Sequence, residues 1–255
     1  MINNGLLLII DAQYDFCDKG GSLYVPGAEE DMTRLASFIK NDGKKFRDVI
    51  LSQDTHQVID ISHPAFWVNS NGENPAPFTQ ISVEDVENDV WTSILGKSTV
   101  LTYLQKLDQQ GEFPHVIWPE HCIEGSKGAA IVDVVMEALK DRERTNLRHY
   151  QIIQKGKNPF TEHFGIMQAN VELEDQPDTQ LNTSLLDSFT DYDTIYLAGE
   201  AQSHCVANTV KQLLRFQGIA DKLIILKNCM SPVPGFEHLA DEIYGKLKPK
   251  QFAEV

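Results

Sequence analysis

The chain has 255 residues, 42% of them hydrophobic and 23% charged, with a formal net charge of −15 at pH 7. That length suits one sizeable core, so a single domain over 1–255 is expected, and the acidic balance, with no basic cluster to offset it, argues against nucleic acid or an anionic membrane as partner. The four cysteines, Cys17, Cys122, Cys205 and Cys229, are scattered without CxxC spacing, which argues against a disulfide framework or zinc ribbon and suits a reducing cytoplasm.

The N-terminal apolar run turns acidic too early for a signal peptide, and no stretch approaches the ~20 apolar residues of a membrane span. Residues 6–10, LLLII, read as a strand buried on both faces and run directly into Asp11. Met32, Leu35, Ala36 and Ile39 keep helical spacing, with Glu29, Glu30 and Asp31 in the first turn, where the helix dipole favours acids. A second strand over 48–52 leads to Gln53-Asp54-Thr55-His56, followed by an irregular region over 57–93. Helical spacing returns at Val100, Leu101, Leu104 and Leu107. It returns again at Ile131, Val134, Val135, Ala138 and Leu139, after Trp118-Pro119-Glu120-His121-Cys122. A strand over 150–154 ends at Lys155. Little periodicity follows until a helix near 185–189, and connections this long are lids, oligomer contacts or disordered segments.

Residues 195–198 form a strand that passes through Gly199 into a helix carrying Val206, Val210, Leu213 and Leu214. Cys205 falls at the start of that helix, where unpaired backbone N–H groups and the dipole favour a thiolate. The alternative reading of Cys205 is a small buried packing residue. A last strand over 222–226 precedes a C-terminal helix with Leu239, Ile243 and Leu247.

Strands alternating with helices predict an α/β fold of three layers, αβα, around a doubly wound, mostly parallel sheet. Ligands in such sheets bind at the carboxyl ends of the strands, and four strands deliver Asp11, Asp54 with His56, Lys155 and Cys205 to that edge. An acid, a lysine and a cysteine together suit nucleophilic acyl chemistry, the acid taking the thiol proton and the lysine holding negative charge. Asp54, His56 and His121 form a second set. Two imidazoles and a carboxylate fill one face of a divalent ion and leave positions open, as in catalytic zinc sites; manganese and iron suit the same donors. An ordinary hydrogen-bonded histidine is the competing reading of each, and His63, His115, His163 and His204 show that histidines are not scarce.

The residues also carry a family resemblance. It runs through Asp11-Ala12-Gln13-Tyr14-Asp15-Phe16, Gly20–Ala28, Gln53-Asp54-Thr55-His56, Pro77-Phe78-Thr79, Trp118-Pro119-Glu120-His121-Cys122, Lys155-Gly156 and Ala198-Gly199-Glu200-Ala201-Gln202-Ser203-His204-Cys205-Val206. In these stretches the chain resembles the isochorismatase-like cysteine hydrolases, and among them the nicotinamidases. The resemblance implies the isochorismatase-like hydrolase fold and a catalytic triad of Asp11, Lys155 and Cys205. It implies a divalent metal on Asp54, His56 and His121 that meets a pyridine nitrogen, with Phe16 and Trp118 as aromatic walls. By position it also implies a cis peptide at Glu200–Ala201 and an oxyanion hole from the backbone N–H groups of Ala201 and Cys205. The expected substrate is a small heteroaromatic amide, and homo-oligomer formation is implied by resemblance alone.

The chain departs from the pattern at His204, where an aromatic residue is usual, and in the polar Glu200, Gln202 and Ser203. The segments 57–114 and 156–194 are longer than in a minimal member. His204 is a candidate for orienting substrate or for packing against the nucleophile turn. Three functions stay open: a metal-dependent amidase of nicotinamide or a related amide; a metal-independent hydrolase of another amide, carbamoyl compound or vinyl ether, indifferent to chelation; and a non-catalytic binding protein on the same fold. An iron oxygenase on the two-histidine, one-carboxylate set would leave Cys205 and Lys155 without a role.

Overall fold

A computed structural model describes residues 3–255. In chain order its elements are β1 (Gly5–Ile10), α1 (Tyr14–Cys17), α2 (Ala28–Asn41), β2 (Asp48–Asp54), β3 (Trp67–Val68), α3 (Val83–Glu87), β4 (Thr92–Ser93), α4 (Lys97–Gln109), α5 (Asp133–Asn146), β5 (Gln151–Lys155), α6 (Thr183–Phe189), β6 (Thr194–Gly199), α7 (Ala207–Leu213), α8 (Gln217–Ala220), β7 (Leu223–Leu226), α9 (Asp241–Tyr244) and β8 (Phe252–Ala253). The main sheet runs β5-β2-β1-β6-β7-β8 with every neighbouring pair parallel. The only antiparallel ladder among the described strands is the small β3–β4 pair.

Strand periodicity explains the layering. Leu7 and Ile9 of β1 point into a core with Met32 and Leu35 of α2 and Val135 and Leu139 of α5. Leu6, Leu8 and Ile10 point the other way, against Phe189, Val206, Val210 and Leu213. Because both faces are covered, β1 carries no polar residue along its length.

The region over 57–93, irregular by periodicity, holds β3, α3 and β4 and with α4 builds a third core around Phe66, Trp67, Val100 and Tyr103. Two-residue strands and a five-residue helix are too short to leave a periodic trace. The C-terminal helix is also shorter than expected. A 3₁₀ turn over Glu237–Ala240 and the four-residue α9 take its place, and Pro249 ends any helical continuation.

From β1 the chain works outward through β2 to β5, and then returns to β6 on the opposite side of β1. The sheet order therefore reverses between β1 and β6, the position where doubly wound sheets open a crevice at their carboxyl edge. Asp11 follows β1 directly, and the turn bearing Cys205 follows β6. Gly199 makes the close approach possible: its φ is +123°, and a Cβ there would collide with the Ile10 carbonyl oxygen.

Candidate active site

The carboxyl ends of β1, β2 and β5 bring Asp11, Asp54 and Lys155 together. Lys155, the last residue of β5, pairs in register with Asp54, the last of β2. Its Nζ lies 2.9 Å from Asp11 Oδ2 and 3.0 Å from Asp54 Oδ1, and donates to Cys205 Sγ at 3.7 Å. All four side chains are buried. Burial alone would strip the Lys155 ammonium of its proton, but Asp11, Asp54 and Cys205 outweigh that and hold its pKa well above the ordinary lysine value.

Asp11 sits in the left-handed region with φ 43°, a conformation Asp tolerates better than most residues. Ser52 on β2 locks it, donating from Oγ to Asp11 Oδ1 at 2.6 Å and accepting from the Asp11 N–H at 3.1 Å. Asp11 Oδ2 has the lysine ion pair but no aligned hydrogen-bond donor, so it keeps a lone pair for an incoming proton. Burial raises the Asp11 pKa, opposed by Lys155, which makes it a better base than an exposed carboxylate.

Cys205 lies inside a π-helical turn, Gln202–Val206, ahead of α7. Burial pushes its thiol well up, aided by Asp11 and Asp54 and opposed by Lys155. The resting group is therefore a thiol, where position at a helix start alone favours a thiolate. The π turn also shapes the backbone. The Ala201 carbonyl accepts from the N–H groups of His204 and Val206, passing over the Cys205 N–H between them. The Ala201 N–H has no partner among the described residues, and the Glu200–Ala201 peptide is cis. Glu200 is buried beside Asp31, with Oε2 accepting from Ser231 N–H at 3.0 Å. Burial drives its pKa well above the ordinary value, so it sits there uncharged.

One ligand atom each from Asp54, His56 and His121 lies within 4.8 Å of the others. The surrounding hydrogen bonds decide whether those atoms have lone pairs to give. His121 Nδ1 is 2.8 Å from the Pro119 carbonyl, which only accepts, so Nδ1 carries the proton and Nε2 is free. His63 places its Nδ1 against the Gln57 carbonyl and its Nε2 at 3.2 Å from His121 Nδ1. Burial and the neighbouring His121 and His56 bring the His63 pKa down to about 3, so it is neutral and adds a second acceptor for the His121 proton. His56 Nδ1 meets Asp60 Oδ2 at 3.0 Å while its Nε2 meets Asp54 Oδ2 at 3.0 Å. Burial opposes a charge on His56, but Asp54 and Asp60 overcome it and raise its pKa well above 6.5. A proton thus stands between His56 and Asp54 where a cation's charge would sit, and carboxylate or carbonyl partners on the far nitrogens are what metal-binding histidines need. The donor set fits a divalent ion.

Phe16 and Trp118 line one pocket with Asp54, His121, His204 and Cys205. Phe16 stands edge-on to His121 at 5.5 Å. Trp118 Nε1 donates to Glu162 Oε1 at 3.2 Å. Burial lifts the Glu162 pKa to about 8. Every residue expected at the site reaches it, while His115 bonds the Ile61 carbonyl away from it.

Sequence reading missed Glu162, Ser52, Asp60 and His63. None has a spacing signal: each is recognisable only by what it touches. Gln13 and Asp15 of the opening motif acquire structural roles. The Gln13 amide brackets Asp54, accepting from its N–H and donating to its carbonyl, each at 2.7 Å. Asp15 accepts from the Cys122 N–H at 2.7 Å and so ties down the loop that carries His121.

No family model matches the chain. It is 21% identical over 243 residues to the nicotinamidase of Saccharomyces cerevisiae, covering 95% of this chain and 94% of that one. A solved structure of the yeast nicotinamidase Pnc1p superposes with a TM-score of 0.66 at 21% identity, over 98% of this chain and 99% of the other. The pyrazinamidase of Pyrococcus horikoshii, solved in complex with zinc, superposes with a TM-score of 0.57 at 17% identity, over 99% and 98% of the two chains. The α/β fold is therefore shared along nearly the whole length.

Proposed function

We propose that this chain, a member of the isochorismatase-like cysteine hydrolases and within them of the nicotinamidase group, hydrolyses the carboxamide of a small heteroaromatic substrate, nicotinamide to nicotinate and ammonia. The observation that carries the reading is the single Lys155 ammonium in reach of Asp11, Asp54 and Cys205 at the floor of a pocket walled by Phe16 and Trp118.

Asp11 Oδ2 takes the proton from Cys205 Sγ as the sulfur attacks the carboxamide carbon. The carbonyl electron pair moves onto oxygen, which the Ala201 and Cys205 N–H groups receive. Asp11 returns the proton to the amide nitrogen, the C–N bond breaks, and ammonia leaves a thioester on Cys205. Asp11 then deprotonates a water that attacks the thioester. The C–S bond breaks and the sulfur recovers its proton, freeing the acid. Lys155 stays protonated throughout and balances the negative charge as it passes between Asp11 and the sulfur.

Asp54, His56 and His121 would hold a divalent ion, zinc by the example of the Pyrococcus protein. Such an ion supplies a Lewis-acid partner for a ring nitrogen lone pair. Phe16 and Trp118 bind the faces of a flat ring. We read the chain as one domain whose segments 57–114 and 156–194 supply the groups behind the metal ligands and part of the pocket wall.

The test is ammonia release from nicotinamide by the purified protein, before and after chelation and metal restoration, with Cys205→Ala as blank. Turnover that needs both the metal and Cys205 is expected. Turnover indifferent to chelation would move the chain to the metal-independent hydrolases, and turnover surviving Cys205→Ala would reject the thioester route.

A further inference from the structure

Glu200 stands one residue ahead of Ala201, and the hydrolysis described above gives its carboxyl no part. The side chain is fully buried. A second buried carboxyl, Asp31 of α2, shares a partner with it: Glu200 Oε2 accepts the Ser231 N–H at 3.0 Å, and Asp31 Oδ2 accepts the Ser231 hydroxyl at 2.5 Å. Gly27, just ahead of α2, leaves room for this arrangement, since a Cβ there would stand 2.6 Å from Ser231 Oγ.

The two carboxyls have one cation beside them, and it serves Asp31. Arg34 Nη2 pairs with Asp31 Oδ1 at 2.6 Å. Glu200 Oε1 is buried and has no hydrogen-bond partner among the described residues. As a carboxylate Glu200 would be an uncompensated buried anion next to another anion, whereas a proton on it makes a donor that Asp31 can accept. Burial and the Asp31 charge raise the Glu200 pKa well above its ordinary value, opposed by the Ser231 N–H and Arg34 and aided by a hydrogen bond with Asp31. Cys17, Cys229 and Tyr244, the other titratable groups around Glu200, have their own pKa values raised by burial and add no charge at neutral pH.

Ser231 links this acid pair to the nucleophile turn. Its N–H donates to the Glu200 side chain while its carbonyl accepts the Gln202 N–H at 2.8 Å, so it ties down the residues on both sides of Ala201. The Glu200 N–H in turn donates to the Ile10 carbonyl at 2.9 Å. Between these ties the Ala201 N–H has no partner among the described residues. We propose that Glu200, as a neutral acid sharing one proton with Asp31, is a positioning residue that holds the Ala201 N–H where the oxyanion forms. The proposal rests on the amidase reading above. An apolar side chain at 200 would release Ser231 and let residues 200–202 shift, and a displacement of about 1 Å costs turnover about 10²-fold.

The test compares the metal-loaded wild type, Glu200→Gln and Glu200→Leu in kcat and KM for ammonia release from nicotinamide, and in the rate at which iodomethane methylates Cys205, read by peptide mass. Methylation forms no oxyanion and the reagent has no carbonyl, so it reports on the nucleophile without the oxyanion hole. Glu200→Leu should lose about 10²-fold in kcat at unchanged KM and unchanged methylation rate. Glu200→Gln keeps an N–H for Asp31 and an oxygen for Ser231, and should retain most of the wild-type kcat. Independently of turnover, and decisive should Glu200→Leu fail to fold, the infrared difference between wild type and Glu200→Gln at pH 7 should contain the carbonyl band of a protonated carboxyl. Wild-type kcat in Glu200→Leu, an equal loss in the two variants, methylation that slows in step with kcat, or a carboxylate band in place of the protonated one overturns this proposal alone. No ammonia from nicotinamide with the wild type overturns the amidase reading and the positioning role with it.

Discussion

Replacing Glu162 by Gln tests how the pocket handles buried charge. Glu162 is 5% exposed, accepts from Trp118 Nε1, and has its pKa raised by burial from 4.5 to about 8. The folded state therefore holds a proton that the unfolded chain has already released between those two values. The stability tied to this group is fully present below pH 4.5 and lost as pH rises through about 8. Across that window the loss is on the order of 5 kcal/mol, a large share of the 5–15 kcal/mol typical of a folded domain. Gln keeps an acceptor for Trp118 and has no proton to lose. Urea unfolding of the metal-free wild type and Glu162→Gln at pH 5 and pH 8.5 isolates the effect, because the other titrating groups are common to both. The variant should gain on the wild type by several kcal/mol between the two pH values. Parallel pH dependence in the two proteins would show that Glu162 ionises normally and that its burial is not as described.

Three further outcomes follow from the geometry. Lys155→Gln removes the ammonium that bridges Asp11 and Asp54 and should lower turnover by about 10²–10⁴-fold; it should also slow iodoacetamide labelling of Cys205, and labelling at the wild-type rate would show that Lys155 does not stabilise the thiolate. His63→Ala removes an acceptor from the His121 Nδ1 proton and should weaken zinc binding about 10–100-fold in competition with a chromogenic chelator; an unchanged affinity would leave Pro119 alone sufficient. Gly199→Ala forces a Cβ against the Ile10 carbonyl at a φ of +123° and should cost ~3 kcal/mol or more; a thermal unfolding midpoint within a few degrees of wild type would refute the close packing of the β1 and β6 ends.

The alternation of strands and helices was legible because its signals are local. Residues 6–10 form one unbroken apolar run, and Met32, Leu35 and Ile39 repeat at helical spacing. A parallel sheet must then present Asp11, Asp54, Lys155 and Cys205 at one edge, since each ends or follows a strand. The short elements within 57–93 and the broken C-terminal helix were not legible, because segments of two to five residues carry no period and are held by burial of Phe66, Trp67 and Ile243.

The identities and chain positions of Asp11, Lys155, Cys205, Asp54, His56 and His121 are properties of the sequence by itself, and so is the arrival of all but His121 at the sheet edge. Their protonation states are not. The Cys205 thiol, the proton between His56 and Asp54, the neutral Glu162 and Glu200, and the tautomers of His121 and His204 depend on burial and on partners that folding places, such as the nearby Pro119 carbonyl and the distant His63 for His121 and Val233 acting through Ser203 for His204. A pKa is set by the dielectric and charges within a few ångströms, and folding alone brings residues more than a hundred positions apart, such as Lys155 and Asp11, to that distance.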